Sequence, residues 1–261
     1  MVERTLTGRS ALVTGSVGGL GLVIASALAS AGAAITLTGI EGADKGDPIA
    51  RALADEFGVA ARYISADVRD AQAVRDLVAE AGAVDILVNN AVVRHFAPIE
   101  QFPLDKWNEA LAVNLTAALV ATQSVLPGMR ARDFGRIINM TSVYGSRAVV
   151  DRVDYVTTKT AIQGLTRAIA MEVASSGISC HALTPGSTLT PIWAEKLEAM
   201  MRDENLTREQ AVGKFLAGKQ PSGRFVEADS VARVVLLLCS PAGPDMNGAI
   251  LPIEGGWLAR A

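Results

Sequence analysis

Short, nearly unbroken apolar runs alternate along the chain with longer stretches in which apolar residues return every three or four positions. The runs at 11–14, 34–38, 61–65, 84–88, 136–140, 178–183 and 249–253 predict strands. The stretches at 20–31, 48–57, 71–81, 104–132, 154–175 and 228–239 predict helices. Strands that are apolar throughout are buried on both faces, which implies a parallel sheet covered by helices on each side. Right-handed crossovers then give a doubly wound α/β sheet. At 261 residues, one domain spanning 1–261 accounts for the chain.

The stretch 190–218 breaks the alternation. It is polar, charged and helical in character, with Trp193, Met200, Met201 and Phe215 as apolar anchors. It is too long for a plain connection, so it reads as a lid.

Composition excludes several classes. A formal net charge of -3 offers no basic surface for nucleic acid or an anionic membrane. Residues 1–10 carry Glu3, Arg4 and Arg9 and no apolar run, so no signal peptide is expected. The apolar run 234–239 is too short to span a bilayer. Cys180 and Cys239 lie far apart and form neither a metal motif nor a disulfide framework, which suits a reducing cytoplasm. With only His95 and His181 as imidazoles, no metal site is expected, and His181 reads as a packing residue.

The first strand runs into Thr14-Gly15-Ser16-Val17-Gly18-Gly19-Leu20-Gly21, and a helix follows. Glycines allow a tight turn and close approach to a pyrophosphate, which the free N–H groups of the helix start would bind. A glycine-rich turn alone is weak evidence; its place after the first strand of an alternating chain gives it weight. That context points to a Rossmann-type dinucleotide fold. After the second strand come Glu41 and Asp44, with no Arg or Lys at 17 or 39–44 to meet a 2′-phosphate. NAD is therefore expected rather than NADP, with Lys45 the one residue that could blunt the argument.

Tyr155 and Lys159 are four residues apart at the start of a helical stretch and so share a face. A free phenol, with a pKa of about 10, is a poor base. A neighbouring ammonium favours its ionised form. Ser142 follows the strand 136–140, at the edge where open α/β sheets bind ligands. A Tyr-x3-Lys pair on its own is usually a solvated helix face; here position gives it meaning.

Taken together, Thr14-Gly15-x3-Gly19-x-Gly21, Asp67-Val68, Asn89-Asn90-Ala91, Asn114, Ser142, Tyr155-x3-Lys159 and Pro185-Gly186 resemble the short-chain dehydrogenase/reductase family, in the family's order and over most of the chain. The resemblance implies that Tyr155 is the acid/base, Ser142 steadies the substrate oxygen, and Asn114 and Lys159 form a proton relay through a water. It implies cofactor contacts from Gly15, Gly19, Leu20, Gly21, Asp67, Val68, Asn90, Tyr155, Lys159, Pro185, Gly186, Thr188 and Thr190. Val92 stands where the family usually has Gly, which would narrow the cofactor groove.

Residues 97–100, 126–132, 219–222 and 255–259 further resemble the bacterial D-3-hydroxybutyrate dehydrogenases. That similarity implies a small hydroxy-acid or keto-acid substrate, a lid at 190–218 and a homotetramer, for which the apolar segment 250–258 is suited. It also implies a substrate site at Arg94, Tyr144, Arg152, Trp193 and Lys196. In those relatives the positions of Arg94, Tyr144, Arg152 and Lys196 typically hold Gln, His, Lys and Gln, and Ser187 replaces a Trp. Two neutral amides have thus become cations. Three buried cations without an anion would be costly, so a larger or more anionic hydroxy acid, with a second carboxylate or a sulfonate, is expected. The alternative is that Arg94 and Lys196 face solvent or pair with Glu195 or Glu198. Two other functions compete: a sugar, polyol or sulfonate-alcohol dehydrogenase using the same chemistry, and a non-catalytic cofactor-binding scaffold. The intact Ser-Tyr-Lys set disfavours the scaffold.

Overall fold

The structure, a computed structural model, describes residues 4–259, apart from the side chains of 191 and 192; the outermost residues of the expected 1–261 domain, Glu3 among them, lie outside the described residues. Seven parallel strands form one sheet: β1 (Ser10–Thr14), β2 (Ala34–Gly39), β3 (Ala61–Ser65), β4 (Ile86–Asn89), β5 (Gly135–Met140), β6 (Ile178–Pro185) and β7 (Ile250–Ile253). Their order is β3-β2-β1-β4-β5-β6-β7, so the chain reverses direction across the sheet between β1 and β4. Crevices at such reversals bind ligands beyond the strand ends.

The apolar runs are explained by burial on both faces. Val13, Val88 and Ile138 point into a core with helix α1 (Gly19–Ser30), α2 (Ala43–Phe57) and α9 (Ala228–Cys239). Their neighbours Leu12, Leu87 and Ile137 point into a second core with α3 (Ala71–Ala81), α5 (Ala117–Ala131) and α6 (Val153–Val173). The remaining helices, α4 (Leu104–Leu111), α7 (Pro191–Asp203) and α8 (Arg208–Leu216), complete the nine α-helices of the described residues. α7 and α8 fill the stretch read as a lid and, together with Phe225, make a small core from Leu197, Ala211 and Leu216.

Two elements differ from the sequence reading. α2 starts at Ala43 rather than Pro48, because Gly46 lets its polar first turn lie against the Tyr63 ring. Apolar periodicity cannot register such a turn. The predicted helix 104–132 is interrupted by a π turn, Ala112–Thr116. There Asn114 accepts from Val93 N at 2.9 Å and donates to Val93 O at 3.0 Å, so an extra residue is spliced in to aim the amide at a neighbouring loop. Leu104–Ala131 is the one described helix long and apolar enough to cross a membrane by composition, and Val113, Ala117, Val120, Val125 and Met129 on it pack into the second core.

Candidate active site

The glycine turn opens at the reversal point. Gly15 takes a left-handed φ of 62°, and a Cβ there would stand 2.9 Å from Ala91 Cα. Asn90 locks the turn by donating its amide to Thr14 O at 3.0 Å and Gly15 O at 2.9 Å. α1 follows from Gly19, with Gly18 at its N-cap, no side-chain cap and no acid in its first turn. The first N–H groups of a helix have no acceptor within it, so a ligand can take them. Side-chain positions at Gly18 and Gly19 face open space. This uncapped, positive helix end fits a dinucleotide pyrophosphate.

A cleft of about 960 Å³ runs from that helix end to the lid. Gly15, Gly19, Leu20, Gly21, Asn90, Pro185, Gly186, Thr188 and Thr190 all line it. Asp67 and Val68 do not: Asp67 is paired with Arg69 at 2.5 Å, which holds its carboxyl below the usual range, and Val68 is buried.

Ser142, Tyr155 and Lys159 line the middle of the cleft. Four-residue spacing places Tyr155 and Lys159 on the buried face of α6. Lys159 Nζ lies 5.7 Å from the Tyr155 ring centre and donates to Met140 O at 2.7 Å. Burial, with Arg94 adding repulsion, pushes the Lys159 ammonium down to about 7. Thr141 ties the end of β5 to α6 by donating to Lys159 O at 2.8 Å. Ser142 follows in extended backbone, and its Oγ accepts from Tyr144 N at 3.3 Å. Asn114 does not bond Lys159 directly. Both line a small cavity of about 10 Å³, with Thr14 and Asn89 on its wall. That is room for one water among polar partners.

The five expected substrate residues, Arg94, Tyr144, Arg152, Trp193 and Lys196, all line the same cleft. The expectation of three buried cations is corrected: Arg152 is buried, whereas Arg94 and Lys196 are exposed, because they stand on the open cleft mouth. Arg152 stacks 4.1 Å from the Phe96 ring centre and 4.8 Å from that of Tyr155. Its buried Nε has no hydrogen-bond partner, and desolvation lowers its pKa. Arg94 lies 5.4 Å from the same Tyr155 ring. Neither arginine, nor Lys196, belongs to an ion pair of the described residues, so Lys196 does not pair with Glu195 or Glu198.

The sequence reading missed part of this wall. Trp257 packs 5.5 Å from Tyr144, closing one side. Trp193 and Phe215 meet edge to face at 5.1 Å on the lid, and Lys219 lies over Phe215 at 4.7 Å. Local spacing does not signal Lys219, because α8 ends at Leu216 and Gly218 takes a left-handed φ of 73° before it. The base of the lid is pinned by Gln220, whose Oε1 accepts from Ser187 N at 2.8 Å. Gly186 is required there, since a Cβ would collide with Gln220 and the Glu254 backbone. His95 turns away to Glu109 at 3.4 Å. His181 is a buried β6 residue between Met246 O and Ser179 Oγ. Among the described residues no group of three or more His, Cys, Asp or Glu side chains could hold a metal ion.

The family model for short chain dehydrogenases matches residues 9–201. A D-beta-hydroxybutyrate dehydrogenase of Cupriavidus necator is 41% identical over 260 residues, 98% of this chain and 100% of that protein. The solved L-sorbose reductase of Gluconobacter frateurii, complexed with NADPH and L-sorbose, matches with a TM-score of 0.92 at 28% identity, over 99% of this chain and 100% of that one. A gluconate 5-dehydrogenase from Burkholderia cenocepacia J2315, in complex with NADP and tartrate, matches at 0.88 and 34% identity, over 100% of this chain and 99% of that one.

Proposed function

Because this chain belongs to the short-chain dehydrogenase family, oxidoreductases acting on CH–OH groups with a nicotinamide cofactor, we propose that it interconverts a small hydroxy acid and its keto acid using NAD. The observation that carries this reading is Arg152, a buried cation with an unpartnered Nε beside the Tyr155 ring. Such a group calls for an anion, and a guanidinium grips a carboxylate with two parallel hydrogen bonds.

The nicotinamide group supplies the hydride acceptor when bound. Tyr155 takes the hydroxyl proton of the substrate, and Ser142 donates a hydrogen bond to the same oxygen as charge develops on it. Arg94, Arg152 and Lys159 stand 5.4, 4.8 and 5.7 Å from the centre of the Tyr155 ring. Lys159, held at Nζ by Met140 O, passes the proton toward the water-sized cavity that it shares with Asn114.

The preference for NAD rests on Glu41. Its carboxylate folds over Gly39 at the end of β2, beside Val17, where it would repel a 2′-phosphate and accept from a ribose hydroxyl. The sugar-dehydrogenase reading is favoured by the L-sorbose and gluconate enzymes above. Against it, five cations line the cleft, Arg94, Arg152, Lys159, Lys196 and Lys219, among apolar side chains such as Val92, Phe96 and Val150, and such a wall suits a carboxylate better than a row of neutral hydroxyls.

Initial rates with hydroxy acids and with sugars, each with NAD and NADP, test the proposal by NADH or NADPH absorbance. Hydroxy acids with NAD should give the highest kcat/KM. Faster turnover of neutral polyols would overturn the substrate assignment, and faster turnover with NADP the cofactor assignment.

A further inference from the structure

The cleft wall carries five cationic side chains, Arg94, Arg152, Lys159, Lys196 and Lys219, against one carboxylate, Asp151. One substrate carboxylate answers only part of that excess. The cations are also grouped. Arg94 and Arg152 both stand over the Tyr155 ring, at 5.4 and 4.8 Å, from the segment after β4 and from the start of α6. Lys196 comes from α7 of the lid and Lys219 from the residue just past its end, each seated on an aromatic ring of the lid at 4.7 Å, and those rings touch each other at 5.1 Å. The lid therefore brings two ammonium groups to one aromatic shelf.

An exposed lysine without a partner is ordinary and costs little. That describes Lys196 taken alone. It does not describe Lys219, which is half-buried, belongs to no ion pair of the described residues and has its ammonium pKa lowered by desolvation. Two lysines converging on one shelf of a cleft make a focused positive field.

We propose that the substrate is a hydroxy dicarboxylate, with one carboxylate held by Arg94 and Arg152 beside Tyr155 and the other by Lys196 and Lys219 on the lid. The inference deepens the hydroxy-acid reading and rests on it. The apolar wall between the two cation pairs receives the carbon chain. Closure of the lid then depends on the second carboxylate, which supplies the counter-charge that both lysines lack.

The test compares kcat/KM for 3-hydroxybutyrate with those for 3-hydroxyglutarate and 3-hydroxyadipate, in the wild type and in a Lys196→Met/Lys219→Met variant. The wild type should prefer a diacid by at least about tenfold, as one charge-assisted contact of about 1.4 kcal/mol or more would give. The variant should lose most of that ratio, with a larger fall for the diacid than for the monoacid. In the wild type alone, glutarate should compete with substrate at least about tenfold more tightly than butyrate, a readout that does not depend on the variant folding. Equal or better use of 3-hydroxybutyrate overturns the two-carboxylate proposal and leaves the hydroxy-acid reading standing. A diacid preference that survives in the variant overturns the assignment to the lid lysines. No turnover of any hydroxy acid overturns both.

Discussion

The guanidinium carbon of Arg152 stands 4.8 Å from the centre of the Tyr155 ring, nearer than the Lys159 ammonium at 5.7 Å. The three side chains come from one helix and its lead-in, so a single rigid element sets the charge around the phenol. Because Arg152 is buried with its Nε unpartnered, its cost to the free protein is a debt that a bound carboxylate settles. Arg152→Met should lower kcat/KM for the hydroxy acid roughly thirtyfold to a thousandfold, chiefly through KM. The urea midpoint should hold steady or rise, since an unneutralised buried cation has been removed. A large loss of stability would show that Arg152 is structural.

Tyr155 lines the cleft with Ser142 and Lys159, where its phenol can exchange the substrate proton. Tyr155→Phe should reduce turnover by about 10²–10⁴ or more while retaining NADH binding, followed by nucleotide fluorescence. Undiminished turnover would remove Tyr155 from the mechanism.

Asp154 acts at a distance from the reacting atoms. It is fully buried, and its Oδ2 accepts from His95 N at 3.1 Å, which fixes the segment that carries Arg94 to the helix that carries Tyr155. Asp154→Ala should raise KM about tenfold, with a smaller effect on kcat, and speed hydrogen exchange at the His95 amide, because a donor loses its buried acceptor. Asp154→Asn keeps an acceptor and should restore slow exchange. Equal exchange in all three proteins would dismiss this positioning role.

His181 should make the fold acid-sensitive. Burial pushes its pKa down from 6.5 to about 4, so the folded protein holds the neutral ring. Between those values the unfolded chain binds more protons, and stability falls as the pH drops through that window. The loss should reach on the order of 2–3 kcal/mol, read as urea unfolding at pH 7, 5.5 and 4. His181→Phe should flatten the dependence whatever it does to the absolute value. An unchanged slope would assign acid sensitivity to other groups.

Much of the fold was legible before any coordinate. Leu12 and Val13 are adjacent, both apolar, and serve opposite cores, which is why parallel strands read as unbroken runs. Gly15, Asn90 and Ser142 likewise follow the ends of the neighbouring strands β1, β4 and β5, because each βα unit delivers its loop to the same edge, and Tyr155 and Lys159 lie on α6 beside them. The start of α2 was not legible, since Gly46 fits there only against the Tyr63 ring from the next strand. Nor was the π turn at Asn114, whose reason is a hydrogen bond to the Val93 backbone.

The sequence by itself determined the sheet and the glycine turn, because periodicity and short spacing are properties of neighbouring residues, and its resemblance to a family nominated Ser142, Tyr155 and Lys159 as the reacting side chains. Only the tertiary structure decided which cations are buried, that Lys219 joins Lys196 across the Trp193–Phe215 contact, and that Asp154 holds the Arg94 segment. Burial and charge pairing depend on what stands across a cleft, and those partners come from segments far apart in the chain.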